Sequence, residues 1–554
     1  MDKLWEVAER KYHNLLDQIL FNRSIEKGDR EEFLNPDFEI LLNNDEKIKD
    51  QEIFVEKIIE AKRNGIKIGI FADYDADGIP GAALLYRTLT KIGITAYFYI
   101  PGRDEGYGLN KKGIDYLIGK ECKIVITVDL GIKNIDEAKY CRNKNIDLII
   151  TDHHLSGEKI PEAAGVINPK LRVNKNVTEY CGCGVVYKLI TGLSNKFPEI
   201  DEKFIKWNLD LAAISTISDM VPLVKNNRVM AKYGLVVISK TKNLGLKELL
   251  AAAGIDPGKI NTYTVGFQIG PRINTPGRID HGVRSLELLI TEDKMEAKEL
   301  AVWLNEKNIE RQEQMDKVYA EAENIIEKNE YQKNNIIILA GDWPKGIIGP
   351  PASKLVEKYS RPVIIFSESK KEYSGSARSV VGVNIISLLD KASDLLLKYG
   401  GHSGAAGLSV TKNNYEIFSK RLTEISAKEI NPEQLIKKLK IDAEINIEDL
   451  NRKLYKTLEQ LEPFGLGNPR PVFLLSAVTF NQLRLVGGTK KHLSSYIGKK
   501  SQRIKTIFFN FDNISYFDSS GELYDIVFSI DEDNWNGRED ISLNIIDIRK
   551  HEEK

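Results

Sequence analysis

Asp73-Tyr74-Asp75-Ala76-Asp77-Gly78 places three carboxylates within five residues, directly after the apolar run IKIGIFA at 66–72. Crowded carboxylates repel one another, and a divalent cation is the usual reason for such a cluster to exist. Two more groups of this kind end apolar runs: Asp129 follows KIVITV at 123–128, and Asp152-His153-His154 closes the run DLII at 147–150. The chain holds seven histidines, so an adjacent pair behind an aspartate is informative. Mixed Asp and His donors suit Mn²⁺ or Mg²⁺, and a carboxylate such as Asp129 can bridge two ions. Two ions about 3.5–4 Å apart generate a nucleophile from water and neutralise the charge of an in-line phosphoryl displacement. Asp219 sits in the otherwise apolar stretch LDLAAISTISDMVPL at 209–223, where a cation would offset the burial of its charge. The alternatives are a metal-free helix cap at 73–78, a solvated histidine loop, and a calcium loop, which also opens D-x-D-x-D-G. The calcium reading fails on three counts: Leu84 stands at the twelfth position, Pro80 lies inside the loop, and the preceding residues read as a strand.

The elements that must position these groups are legible. Three strand-like runs, 66–72, 123–128 and 147–150, are separated by helical patterns at 81–92 and 134–143. That βαβαβ order predicts a parallel sheet with right-handed crossovers. Open α/β sheets carry their sites at the carboxyl ends of strands, so the three groups are expected to converge. At 554 residues the chain divides into roughly three or four domains. Residues 1–50 read as a helical preface, 51–260 as the first α/β domain, and 261–332 as a connector. Within the connector, 293–329 is densely charged and free of Pro and Gly, one helix of roughly 50 Å at 1.5 Å per residue. It reads as a spacer between domains, with an ordinary surface helix as the alternative. A second α/β domain spans 333–428, with strands at 335–339 and 362–366 and glycine-rich stretches at 375–379 and 400–407. From 429 to 554 short alternating runs predict a small β-barrel of the oligonucleotide-binding (OB) type.

Composition sets outer bounds. The hydrophobic fraction of 42% and charged fraction of 29% are those of a soluble globular protein. No apolar run reaches the ~18 residues of a membrane span, and the charged, amphipathic start is unlike a signal peptide. A cytoplasmic protein with no membrane partner is expected. Cys122, Cys141, Cys181 and Cys183 form no disulfide framework, and Cys181-Gly-Cys183 lacks the spacing of a zinc knuckle. A formal net charge of −1 means that nucleic-acid binding would need a locally basic groove.

Asp73-Tyr-Asp-Ala-Asp-Gly78, Val128-Asp-Leu-Gly-Ile132, Thr151-Asp-His-His154 and Asp219-Met-Val-Pro-Leu223 resemble, in order and spacing, the motifs of the DHH phosphoesterase superfamily. Further stretches narrow the resemblance to its single-strand-specific 5′→3′ DNA exonucleases, over nearly the whole chain. They are Pro101-Gly-Arg-Asp-Glu-Gly-Tyr-Gly108, Gly270-Pro-Arg-Ile-Asn274, Gly375-Ser-Ala-Arg-Ser379, Gly401-His402 with Ala405-Ala-Gly407, and Pro463-Phe-Gly-Leu-Gly-Asn-Pro469. The resemblance implies an α/β fold class. A parallel-sheet DHH domain is joined by the long helix to a DHHA1-like α/β domain, followed by the OB-like barrel.

It also implies roles. Asp75, Asp77, Asp129, His153 and Asp219 would hold two divalent cations, Mn²⁺ or Mg²⁺, with Asp73 among them or just behind. Asp129 and His154 would be catalytic, His154 touching the scissile phosphate, or else supporting His153. Arg103, Ser376 and Arg378 would bind the 5′-terminal phosphate, Arg272 and Arg278 the strand's backbone, and His402 the substrate from a glycine-rich loop. An internal ion pair is the competing reading for each arginine, and a structural turn for that loop. The implied activity is release of nucleoside 5′-monophosphates from single-stranded DNA in repair and recombination. The two α/β units would clamp a groove that admits one strand, and the barrel would add backbone contacts and stacking. A monomer is expected, working with a helicase and a single-strand-binding protein. The rivals are a DHH phosphoesterase for short oligonucleotides or cyclic dinucleotides and an inactive DHH replication scaffold. The presence of every candidate ligand argues against the scaffold, and the long helix and barrel favour a long substrate. Leu130, Pro80, Pro276 and the pair Pro350-Pro351 depart from the family pattern without removing a ligand.

Overall fold

The computed structural model describes residues 3–43, 46–102, 105–106, 108–171, 177–279, 282–369, 372–488, 490–498, 503–511, 513–517, 521–533 and 540–552. The chain forms two compact units, one built mainly from residues 271–438 and one from the rest. None of the described helices is long and apolar enough to cross a membrane.

In the larger unit five parallel strands run in the order Ala96–Tyr99, Ile68–Ala72, Ile124–Val128, Asp147–Thr151, Gly165–Ile167. The two central strands are buried along their whole length, as expected for a sheet covered on both faces. The chain enters at Ile68–Ala72, moves outward on one side to Ala96–Tyr99, then crosses to Ile124–Val128 on the other. The switch point, where crossovers leave a crevice, therefore lies between the strands that end at Asp73 and Asp129. Ala96–Tyr99 and Gly165–Ile167 are too short and mixed in composition to show a clear period in the sequence.

The same unit carries the C-terminal strands. Their pairing order is Ala443–Glu444, Phe473–Val478, Tyr524–Asp533, Asp540–Lys550, Ile504–Phe508, His492–Ile497, Phe480–Val486. Phe473–Val478 and Phe480–Val486 follow each other almost directly, with Ala477 at a φ of 56° just before the break between them. Ile19, Leu20 and Phe33 from the N-terminal helices join Phe473, Ile526, Phe528 and Leu543 in one core. The preface therefore completes the C-terminal domain.

The smaller unit holds a mixed sheet in the order Leu396–His402, Ala405–Thr411, Glu372–Arg378, Val363–Glu368, Ile337–Gly341, parallel only between its last two strands. Its long helix, Lys294–Lys328, buries Ala297, Leu300, Leu304, Val318, Ala322 and Ile326. Val318, Ala322 and Ile326 share a core with the strand Ile337–Gly341 and the helix Gly349–Tyr359. The helix expected as a spacer is thus packed along much of its length.

Candidate metal centre and phosphate contacts

Each strand end is locked one rung beyond its strand. The Asp73 N–H donates to the Val128 carbonyl at 3.2 Å, Asp129 to Thr151 at 3.0 Å and Asp152 to Ile167 at 3.1 Å. The sheet ladder thus sets the relative height of the three groups. Asp129 takes a φ of 63°, a left-handed conformation uncommon for a residue with a Cβ and frequent at functional sites.

The carboxylates are held by different devices. Asp75 Oδ1 accepts the N–H groups of Asp77 and Gly78 at 2.9 and 3.0 Å, so it caps the helix Gly78–Lys91. Asp77 is bound by the first amides of the helix Gly182–Leu193, Cys183 N at 2.8 Å and Gly182 N at 2.5 Å. Asp219 closes the helix Leu209–Ser218. His153 Nε2 lies 3.1 Å from Asp129 Oδ1 and 3.5 Å from oxygens of Asp77 and Asp219. Neither ring nitrogen of His153 has a hydrogen-bond partner among the described residues.

Three groups of donors lie close enough to share an ion: Asp77, His153 and Asp219; Asp73, Asp75 and Asp129; and Asp129, His153 and His154. Burial and then the neighbouring carboxylates push Asp73, Asp129 and Asp77 upward, although His153 opposes the rise at Asp77. The same causes push Asp219 to about 9. A shell of buried carboxylates and imidazole oriented on one another, with unused ring nitrogens, fits divalent cations of the Mn²⁺ and Mg²⁺ type.

Asp152 plays another part. Its Oδ1 accepts the N–H groups of His153 and His154 at 2.7 and 3.0 Å and lies 2.8 Å from His154 Nδ1, while Oδ2 accepts the Ile132 N–H at 2.9 Å. Those contacts outweigh its burial and hold it below the usual carboxylate range. Asp152 thereby orients the half-exposed His154 ring.

Gly182 was not singled out by its sequence context, yet a Cβ there would stand 2.5 Å from Asp129 Cβ and 2.9 Å from its Cα. Gly182→Ala must therefore displace Asp129 or the helix that binds Asp77. We expect a loss of Mn²⁺ affinity of about 10–100-fold, the range seen when groups supporting metal ligands are removed. Titration calorimetry of the folded variant checks it.

In the smaller unit Arg378 Nη1 donates to Ser376 Oγ at 3.0 Å and to the Ala377 carbonyl at 2.8 Å. A Cβ on Gly349, at the start of the helix Gly349–Tyr359, would lie 2.9 Å from Arg378 Nη2. Pro350 and Pro351 occupy the first turn of that helix, a position where proline is tolerated. Having no N–H, they also remove two amide donors from that helix start. Arg272 Nε donates to Asn305 Oδ1 at 3.0 Å, and Arg278 and Arg272 both act on the buried Arg311 of the long helix. The glycine-rich stretch around His402 is a β-hairpin rather than a loop: His402 pairs with Ala405, and its Nδ1 accepts the Gly404 N–H at 3.2 Å. Arg103 lies outside the described residues. Leu130 is buried in the sheet's core, Pro80 falls in the first turn of Gly78–Lys91, and Pro276 opens the helix Pro276–Ile279. Each departure from the family pattern has a structural place.

Three family models match the chain: the DHH family, N-terminal domain, over residues 67–216; the DHHA1 domain over 333–428; and the RecJ OB domain over 441–547. The chain is 35% identical over 504 residues to the single-stranded-DNA-specific exonuclease RecJ of Bacillus subtilis, covering 90% of this chain and 63% of that protein. It is 30% identical over 517 residues to the Escherichia coli exonuclease of the same name, covering 89% of each. A crystal structure of RecJ in complex with Mn²⁺ from Thermus thermophilus matches with a TM-score of 0.84 at 26% identity, covering 99% of this chain and 80% of that one.

Proposed function

The chain belongs to the RecJ family of single-stranded-DNA-specific exonucleases, and from that premise we propose a division of labour among its residues. Asp73, Asp75, Asp77, Asp129, His153 and Asp219 hold two divalent cations, Mn²⁺ or Mg²⁺. The observation that carries the assignment is His153, with two buried nitrogens lacking hydrogen bonds and Nε2 facing three carboxylates at 3.1–3.5 Å. When bound, the cations polarise the phosphodiester and activate water for in-line attack. Asp129 belongs to two of the donor groups and would serve in both. His154, oriented by Asp152, contacts the scissile phosphate.

Ser376 and Arg378 receive the 5′-terminal phosphate, since a guanidinium presents a fork that matches phosphate oxygens. Arg103 joins them at that phosphate, Arg272 and Arg278 contact the strand's backbone, and His402 contacts the substrate. Hydrolysis then proceeds 5′→3′ and releases nucleoside 5′-monophosphates. Residues 51–260 carry the metal chemistry, 333–428 the terminal phosphate, and 429–554 further backbone and base contacts, so binding weakens with salt. The enzyme works as a cytoplasmic monomer in repair and recombination, beside a helicase and a single-strand-binding protein.

Arg378→Met is expected to reduce the preference for 5′-phosphorylated over 5′-hydroxyl oligonucleotides by roughly 10-fold, the effect of one charge-assisted hydrogen bond. Competition between the two substrates reads it. The overall assignment is tested by a time course on single-stranded DNA labelled at either end, with Mn²⁺ or EDTA. Mononucleotides released first from the 5′ end, only with metal, support it. Activity confined to dinucleotides, or equal activity in EDTA, contradicts it.

A further inference from the structure

Large aromatic side chains held in water as a contiguous patch mark a surface that something covers. Tyr263 and Phe267 are 61% and 66% exposed, with ring centroids 4.8 Å apart and planes inclined by 23°. They stand on the helical segment Thr262–Ile269, whose second part, Val265–Ile269, is a π-turn, a feature found frequently at functional sites. Another face of this segment sits on the helix Leu209–Ser218. A Cβ on Gly266 would meet Ile217 Cγ2 at 3.9 Å, and one on Gly270 would come within 2.4 Å of Ser218 Oγ. Asp219 closes that same helix, and Met220 beyond it is 66% exposed. The segment that carries the ring pair is thereby packed, most closely at Gly270, on the helix end that delivers a carboxylate to the metal centre.

We propose that Tyr263 and Phe267 form a stacking platform for the nucleobases of the substrate strand, steadying it while its phosphodiester is at the metal centre. The two stacked rings offer mainly flat apolar faces, so the part of the strand that suits them best is the planar base. Every base offers a π-face, so such a platform is indifferent to sequence. Bases within a duplex are already stacked and paired, so it favours a single strand. The proposal rests on the exonuclease reading above and adds a determinant of strand selectivity outside the metal and phosphate contacts.

The test compares wild type with Tyr263→Ala/Phe267→Ala on two oligonucleotides of equal length, one with bases and one abasic throughout. On the normal strand the variant should show KM raised by roughly 10-fold or more, the scale of losing base–aromatic stacking, with Mn²⁺ affinity unchanged. On the abasic strand wild type and variant should be equal. Tyr263→Phe/Phe267→Tyr, which keeps both rings, should behave as wild type. Equal loss on both strands, an unchanged KM, or a variant altered only in self-association by sedimentation would overturn the platform. Wild-type protein idle on both strands would overturn the exonuclease reading and the platform with it.

Discussion

Asp129→Ala is expected to lower single-strand hydrolysis on the order of 10³-fold or more, beyond the ~10–100-fold typical for groups that only support metal ligands. Asp129 is the residue shared by the Asp73/Asp75 and His153/His154 donor groups, so its loss touches both halves of the centre. Its position is enforced by the Thr151 rung, by a left-handed backbone and by Gly182 against its Cβ. The metal-free variant should melt no lower than the metal-free wild type. Burial and the four carboxylates of Asp77, Asp75, Asp73 and Asp219 disfavour the Asp129 charge, and an unneutralised buried charge opposes folding. Mn²⁺ at a hundred times its dissociation constant should then stabilise wild type by about 2.7 kcal/mol and the variant by less. Differential scanning calorimetry with and without Mn²⁺, alongside the nuclease assay, separates loss of chemistry from loss of fold.

The second large effect is on stability. Arg228→Met is expected to destabilise the larger unit by about 3–5 kcal/mol, the scale for breaking a buried charged network. Arg228 is 1% exposed. Its guanidinium donates to the carbonyls of Phe33 at 2.5 Å, Leu461 at 3.0 Å, Glu462 at 2.9 Å and Gln460 at 3.2 Å. A methionine fills much of the volume but removes every one of those donors, and of the four oxygens Leu461 O keeps the Asn468 Nδ2 donor at 2.6 Å. The site joins three stretches of chain: the N-terminal helices, the helix Lys225–Ser239, and the segment leading into Pro463–Pro469. Nearby, the Leu223 N–H donates to Leu466 at 2.7 Å, and Gly465 leaves no room for a Cβ against Leu223. Urea unfolding of the variant should show a lower midpoint, with limited proteolysis releasing the C-terminal strands earlier than in wild type. An unfolding free energy within about 0.5 kcal/mol of wild type would contradict this account.

The candidate metal-site residues were legible because their chemistry is local in sequence. Three apolar runs ending in Asp or Asp-His-His describe their own sheet edge, and Asp219 stands out as a lone carboxylate in an apolar stretch. What holds them was not legible. Asp77 depends on amides of Gly182 and Cys183, more than a hundred residues away, and no periodicity in either segment announces the contact. The long helix read as a spacer because its charged residues dominate the pattern, yet its apolar positions pack against a sheet. The glycine-rich stretch at His402 forms a hairpin in which a Cβ on Gly401 would stand 2.2 Å from the Ala405 carbonyl oxygen, whereas Gly400 and Gly407 have open space there. Arg228 looked like one basic residue among many, because the carbonyls that surround it come from both ends of the chain. The sequence therefore spoke for the candidate site residues, and much less for those that fix their places.

The measurement that bears most directly on the central claim is electron paramagnetic resonance of the full chain titrated with Mn²⁺. Two ions sharing Asp129 should bind per chain and give an exchange-coupled spectrum, and Asp129→Ala should abolish the coupling. One ion per chain, two uncoupled ions, or an unchanged coupled spectrum in the variant would contradict a dinuclear centre built on these strand ends.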